Sequence, residues 1–151
     1  MSLSETPETM IWPETHYIFI EKTGPFQATA PQAWQGLHQL VPRILEHNKI
    51  TGYMSLYKVG PKIYRAGVSL AAAPDDLPDG LEYVRFKGGK YSRFVLTGSY
   101  SQLPQAVGRV FAIVAATKIP LRDDYNIENY ANDPRTTPEP ELITEILVPT
   151  A

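Results

Sequence analysis

The apolar positions of this chain change period several times, and each change marks an element. Residues 1–14 are polar and proline-containing with no apolar period, which predicts a flexible lead-in. From His16 onward, Tyr17, Ile18, Phe19 and Ile20 are β-branched or aromatic and stop at Thr23-Gly24-Pro25, the pattern of a strand and a turn. Thr29-Ala30-Pro31-Gln32 has the form of a capping box. Trp34, Leu37, Val41, Ile44 and Leu45 then follow at three- and four-residue spacing, so a helix with one apolar face is expected to start there. Pro42 lacks an amide donor in mid-pattern and predicts a bend or restart.

Gly52 to Val59 and Ile63 to Ala72 flank Gly60-Pro61-Lys62 and read as a hairpin of two tyrosine-bearing strands. The turn-rich Pro74 to Gly80 separates this from Leu81 to Phe86 and Tyr91 to Thr97. Those two runs flank Lys87-Gly88-Gly89-Lys90, whose glycines suit a second hairpin. Leu103, Val107, Val110, Phe111 and Val114 mark a second helix face behind Ser101 as cap, with Pro104 in the permissive first turn. Tyr125 to Tyr130 and Leu142 to Val148 are expected as the last strands.

Two stretches repeat. A strand, Thr-Gly, an aromatic residue and a helix occur at Phe19 to Phe26 and again at Arg93 to Tyr100, and Ala30-Pro31-Gln32-Ala33-Trp34 is echoed by Leu103-Pro104-Gln105-Ala106-Val107. The Thr-Gly pair alone is explained by turn chemistry, whereas the Pro-Gln-Ala repetition at both helix starts favours duplication. The expected fold is therefore α+β, with β-α-β-β halves at about 15–74 and 81–149 inside one domain, 15–151. A mostly antiparallel sheet, two long helices, a pseudo-twofold axis and a central ligand cleft complete the expectation.

Composition narrows the chemistry. The 151 residues hold 14 Lys+Arg against 16 Asp+Glu, for a formal charge of -2, with no basic block to attract nucleic acid or an anionic membrane. At 43% hydrophobic the chain can bury a core. It has no cysteine, which removes disulfides, thiolate metal sites and a thiol nucleophile and fits a reducing, cytoplasmic setting. Val107 to Ala116 is too short to span a bilayer. His16, His38 and His47 lack metal-ligand spacing, and P-loop, G-x-S-x-G and dinucleotide motifs are absent, so neither metal nor cofactor is expected.

The side chains that could carry function sit in predicted strands. Alternation places Asn126, Glu128 and Tyr130 on one face, a carboxylate beside a phenol. Lining a pocket, an unpaired Glu128 would be costly to desolvate, and a ligand cation would relieve that cost; from the sequence alone a solvated surface position is the commoner outcome. Glu145 shares a face with Ile143 and Leu147 and is a second strand carboxylate, most simply paired with Arg or Lys of a neighbouring strand. Tyr53, Ser55 and Tyr57 alternate onto one face, and Trp34 lies on the apolar stripe of the first helix. These rings are either half-buried packing or the flat walls of an aromatic-ligand site.

The strand-TGPF-APQAW opening, LPDGLEY, Tyr91-Ser-Arg-Phe with Gly98-Ser-Tyr100 and Leu103, and the ending IENYANDPRTTPEPELITEILVP together resemble the gyrase-inhibitor-like family, also called AraC-type effector-binding domains. The resemblance runs from about His16 to Pro149. It implies two repeated α/β halves around a lipophilic small-molecule pocket, in which a glutamate matching Glu128 faces cationic ligands. It also implies a stand-alone member of a family often joined to DNA-binding regulators, with no direct nucleic-acid binding. The favoured expectation is a sensor or sequestering module for a hydrophobic or cationic small molecule, with Glu128 as counter-charge, Tyr53, Tyr57, Tyr130 and Trp34 as walls, and Glu145 as a lesser candidate. The alternatives are a hydrolase of strained cyclopropane-bearing electrophiles, with Glu128 and Tyr130 as catalytic pair, and a protein-interaction module using the acidic Pro-rich segment Asp133 to Glu141.

Overall fold

The apolar run after His16 becomes a nine-residue strand, and Gly24 ends it with φ +134°, a conformation that side chains with a Cβ rarely adopt. The computed structural model describes residues 1–151. In chain order the elements are β1 (Ser2–Leu3), β2 (Glu8–Trp12), β3 (Thr15–Thr23), α1 (Phe26–His47), β4 (Ile50–Lys58), β5 (Ile63–Leu70), β6 (Glu82–Phe86), β7 (Gly89–Thr97), α2 (Leu103–Ala116), β8 (Asn126–Tyr130) and β9 (Ile143–Pro149). The fold is α+β, with nine mostly antiparallel strands and two helices.

Residues 13–88 form one compact unit, and residues 1–12 with 89–151 form the other. In the first, the strand order is β4-β5-β3-β6 and every pairing is antiparallel. Helix α1 buries Ala33, Leu37 and Ile44, and Ile20 of β3 approaches Gly36 so closely that a Cβ there would stand 3.0 Å from its Cδ1. In the second unit β9 lies between β8 and β7, and β1 and β2 pair with β7. Its core joins Phe94, Leu96, Ile146 and Val148 of the sheet to Ala106, Val110, Ile113 and Val114 of α2.

Both units follow one plan: a strand, a helix, then an antiparallel pair whose second member returns beside the first strand. Thr97-Gly98 repeats Thr23-Gly24 in detail. Gly98 has φ +133°, and its N–H donates to Leu142 O at 2.8 Å, as Gly24 donates to Lys62 O at 3.0 Å. Each acceptor immediately precedes the strand that pairs with the one the glycine ends, β9 in one case and β5 in the other.

Several local expectations are corrected. The lead-in is ordered as β1 and β2, because β7 offers an open edge whose backbone groups need partners whatever the apolar period of the added strand. The glycines at 88 and 89 do not close a hairpin. Strand β6 completes the free edge of β3, while β7 has β9 on one side and β1 and β2 on the other, and the unit boundary falls between those two glycines. Helix α1 starts at Phe26, before the anticipated capping box, and Thr29 turns its hydroxyl back to Pro25 O at 3.2 Å. The helix continues through Pro31 and Pro42, each of which removes only one amide donor. In α2 the buried positions are Ala106, Val110, Ile113 and Val114, so Val107 and Phe111 sit at the margin of the stripe. The serine that caps is Ser99, whose Oγ accepts from Ser101 N in the short 3-10 turn Tyr100–Gln102 before α2.

Candidate functional site: two versions of one strand frame

In the unit 13–88, strand alternation sends Tyr53, Ser55 and Tyr57 to one face of β4. The antiparallel register sets them opposite Val68, Ala66 and Tyr64 of β5. Ala66 is also level with Ile20, whose side chain meets α1, so this is the helix-covered face. Rings accumulate there. Tyr57 stacks on Tyr64 at 6.3 Å between centroids, and Phe26 sets its edge to Tyr57 at 5.7 Å and tilts against Tyr64 at 5.6 Å. Trp34 donates its indole N–H to the Tyr64 hydroxyl at 2.8 Å, and that hydroxyl is 2.7 Å from Ser55 Oγ. One turn along α1, His38 lies 5.6 Å from the Trp34 ring and stacks on Tyr53 at 6.3 Å.

Trp34, Tyr53 and Tyr57, singled out from the sequence, are thus brought together. Phe26, His38 and Tyr64 were missed. Each had a signal: Phe26 is the aromatic of the first Thr-Gly turn, His38 follows Trp34 by one helical turn, and Tyr64 alternates on the strand paired with Tyr57.

The second unit builds the same frame with different chemistry. Counting from the two Thr-Gly turns, Tyr130 of β8 is opposite Thr144 of β9 as Tyr57 is opposite Tyr64, and Glu128 opposite Ile146 matches Ser55 opposite Ala66. Tyr100, the aromatic of the second turn, meets Tyr130 edge-on at 5.5 Å, repeating the contact of Phe26 with Tyr57. The Tyr130 hydroxyl donates to Glu128 Oε1 at 3.1 Å, and both residues are half-buried. They share a face with Ile146, which packs with α2. Burial, helped by the negative charge of Asp133, pushes the Tyr100 hydroxyl above the usual phenol range.

Glu145 faces the other way. It is level with Asn129, one residue out of phase with Glu128, and so projects from the opposite side of the sheet. Its Oε2 accepts from Arg93 Nη1 at 2.6 Å and its Oε1 from Asn129 Nδ2 at 2.7 Å, and Arg93 reaches on to Glu8 at 3.0 Å. The Glu145 carboxylate holds the guanidinium even more firmly protonated than usual. The pairing with an Arg of a neighbouring strand is present, and it occupies both carboxylate oxygens. No group of three or more His, Asp or Glu side chains is gathered as a metal site would need. No helix is long and apolar enough to cross a membrane.

The two units thus repeat one β-α-β-β frame, which carries clustered rings in one copy and the Glu128–Tyr130 pair in the other. Residues 6–151 match the GyrI-like small molecule binding domain, and the chain belongs to that family. No curated protein matches it. Among solved structures it is similar to the C-terminal domain of EcmrR, with a TM-score of 0.77 and 14% identity over 100% of this chain and 99% of that one. It is also similar to SAV2435 bound to tetraphenylphosphonium, with a TM-score of 0.70 and 15% identity over 96% and 93% of the chains. A hydrolase from Listeria innocua superposes with a TM-score of 0.61 and 12% identity over 99% and 94%. At these identities the likeness is one of fold.

Proposed function

We propose that this protein binds a lipophilic, cationic or aromatic small molecule, as a sensor or sequestering module. Within residues 13–88 the rings of Tyr53, Tyr57 and Trp34 would supply apolar and π surface, and within the other unit Tyr130 would supply a ring and Glu128 a counter-charge. The observation that carries the reading is the Tyr57–Tyr64–Trp34–His38–Tyr53 series. It gathers electron-rich rings with polar tips on the helix-covered side of one sheet, the side-chain chemistry that suits an aromatic or cationic ligand. Family membership supports a small-molecule ligand. The cationic ligand in the SAV2435 structure makes tetraphenylphosphonium a rational first probe.

Calorimetric titration of tetraphenylphosphonium and of neutral triphenylphosphine oxide into wild type and Glu128→Gln tests this. The substitution removes charge while keeping shape, so it should weaken the cation selectively. Equal losses for both probes, or no binding of either by wild type, would reject the assignment.

A second reading rests on the Tyr130 hydroxyl and Glu128 carboxylate in hydrogen-bond contact. A carboxylate that takes a proton from water as the water oxygen bonds to a ring carbon, beside a phenol that can return a proton to the conjugated group receiving the electron pair of the broken ring C–C bond, is the apparatus of a hydrolase acting on a strained electrophile. Mass spectrometry of a cyclopropane-bearing electrophile incubated with the protein would reveal a water adduct. An adduct rate no higher than that of Glu128→Ala would remove this reading.

A further inference from the structure

In the unit that carries Glu128, two hydroxyls are left over. Thr144 is fully buried, at 0% exposure, and its Oγ1 has no hydrogen-bond partner; the hydroxyl of Tyr100 is buried and equally unpartnered. Both flank Tyr130. Thr144 is directly opposite it in the β8–β9 ladder, with its side chain on the same face, and the Tyr100 ring stands edge-on to it at 5.5 Å. In the aromatic unit the matching position holds Tyr64, whose hydroxyl is engaged by Trp34 and Ser55. In the acidic unit, Thr144 and Glu128 replace Tyr64 and Ser55. A buried hydroxyl without a partner forfeits the hydrogen bonds it made in water, and two beside one ring are not expected of packing alone.

From this geometry, and resting on the small-molecule reading above, we propose that Tyr100 and Thr144 complete the Glu128 site as a hydrogen-bonding subsite. Its ligand group is an ammonium that still carries N–H donors, that is, a primary or secondary amine in its protonated form on an apolar body. Each hydroxyl oxygen offers lone pairs, and Glu128 offers a carboxylate. A quaternary cation satisfies the charge but leaves both hydroxyls unpaired; an N–H-bearing ammonium satisfies charge and hydroxyls together. Asp133 adds negative charge near Tyr100, although its own carboxylate is also bonded to Arg135.

The test compares 2-naphthylmethylammonium with its N,N,N-trimethyl analogue by titration calorimetry on wild type, Tyr100→Phe and Thr144→Val. Thermal unfolding of each variant serves as the check on folding. Each substitution removes a hydroxyl at nearly constant shape. The readout is the affinity ratio of the two probes, which cancels their intrinsic difference in hydration. Each variant should lower the ratio about tenfold, mostly through weaker binding of the primary ammonium. A ratio unchanged by both substitutions, as expected if the hydroxyls serve only an ordered water, would overturn the subsite and leave the parent reading intact. Failure of both probes to bind wild type would count against the cation site as a whole.

Discussion

The phenol ring of Tyr17 lies across Gly67 of the adjoining strand so closely that a Cβ at 67 would stand 2.5 Å from Tyr17 Cζ and 2.5 Å from the carbonyl oxygen of Ile18. Only a residue without a side chain fits there. The ring is fully buried, and its hydroxyl donates to Met54 O at 2.9 Å, so it cannot swing aside cheaply. Gly67→Ala should cost about 3 kcal/mol and lower the melting temperature by roughly 9 °C. Differential scanning calorimetry checks this; an unchanged transition would mean that the sheet yields more readily than its packing implies.

Tyr17 also links stability to alkaline pH. Burial raises its folded-state pKa well above 10.0, whereas the unfolded chain ionises near the ordinary tyrosine value. The folded protein therefore binds more protons than the unfolded one above about pH 10, and stability falls as pH rises through that range. Tyr91, raised mainly by burial, adds to the same slope. At pH 7, Tyr17→Phe should cost about 1 kcal/mol through the lost hydrogen bond. Between pH 10 and 11 that deficit should shrink, because phenylalanine cannot ionise. Urea titrations of the two proteins at neutral and alkaline pH measure the difference directly.

Glu128 and Glu145 should separate ligand binding from stability. Glu128→Gln is expected to weaken tetraphenylphosphonium about tenfold or more. Glu145→Gln, on the opposite face and bonded to Arg93 and Asn129, should change that affinity less than about twofold while costing about 1 kcal/mol of folding stability. Calorimetric titration beside chemical denaturation of both variants reads the contrast. A larger effect of Glu145→Gln on the cation would reverse the assignment.

The Tyr64 hydroxyl joins helix α1 to the sheet, taking the Trp34 indole N–H on one side and lying against Ser55 on the other. Tyr64→Phe should cost about 1–2 kcal/mol and alter the emission of Trp34, one of only two tryptophans in the chain. Fluorescence with Trp12→Phe as background isolates that signal. An unaltered spectrum would show that the indole does not depend on this bond.

Much of the frame was legible in the chain because it is written at short range. The Tyr53-Ser55-Tyr57 and Asn126-Glu128-Tyr130 faces follow from strand alternation. The two helices follow from their apolar stripes, and the repeated plan from the Pro-Gln-Ala repetition that accompanies the two Thr-Gly turns. Phe26 was harder to place, because it joins the aromatic series only through partners far along the chain; Tyr64 joins it through the hairpin register with Tyr57, and His38 counts only once Tyr53 is beside it.

Sequence by itself determined which residues alternate, where Gly24 and Gly98 must turn the chain, and that the carboxylate of Glu128 and the phenol of Tyr130 share a side. Those properties depend on φ, ψ and neighbours a few residues away. Tertiary structure alone decided that β6 joins β3 while β7 joins β1, β2 and β9, and that residues 1–12 are strands. It also decided that Glu145 projects from the side opposite Glu128. Strand partners are chosen by whichever backbone edge is open, and a one-residue difference in register reverses a side chain's face, so neither can be read from the strand's own residues.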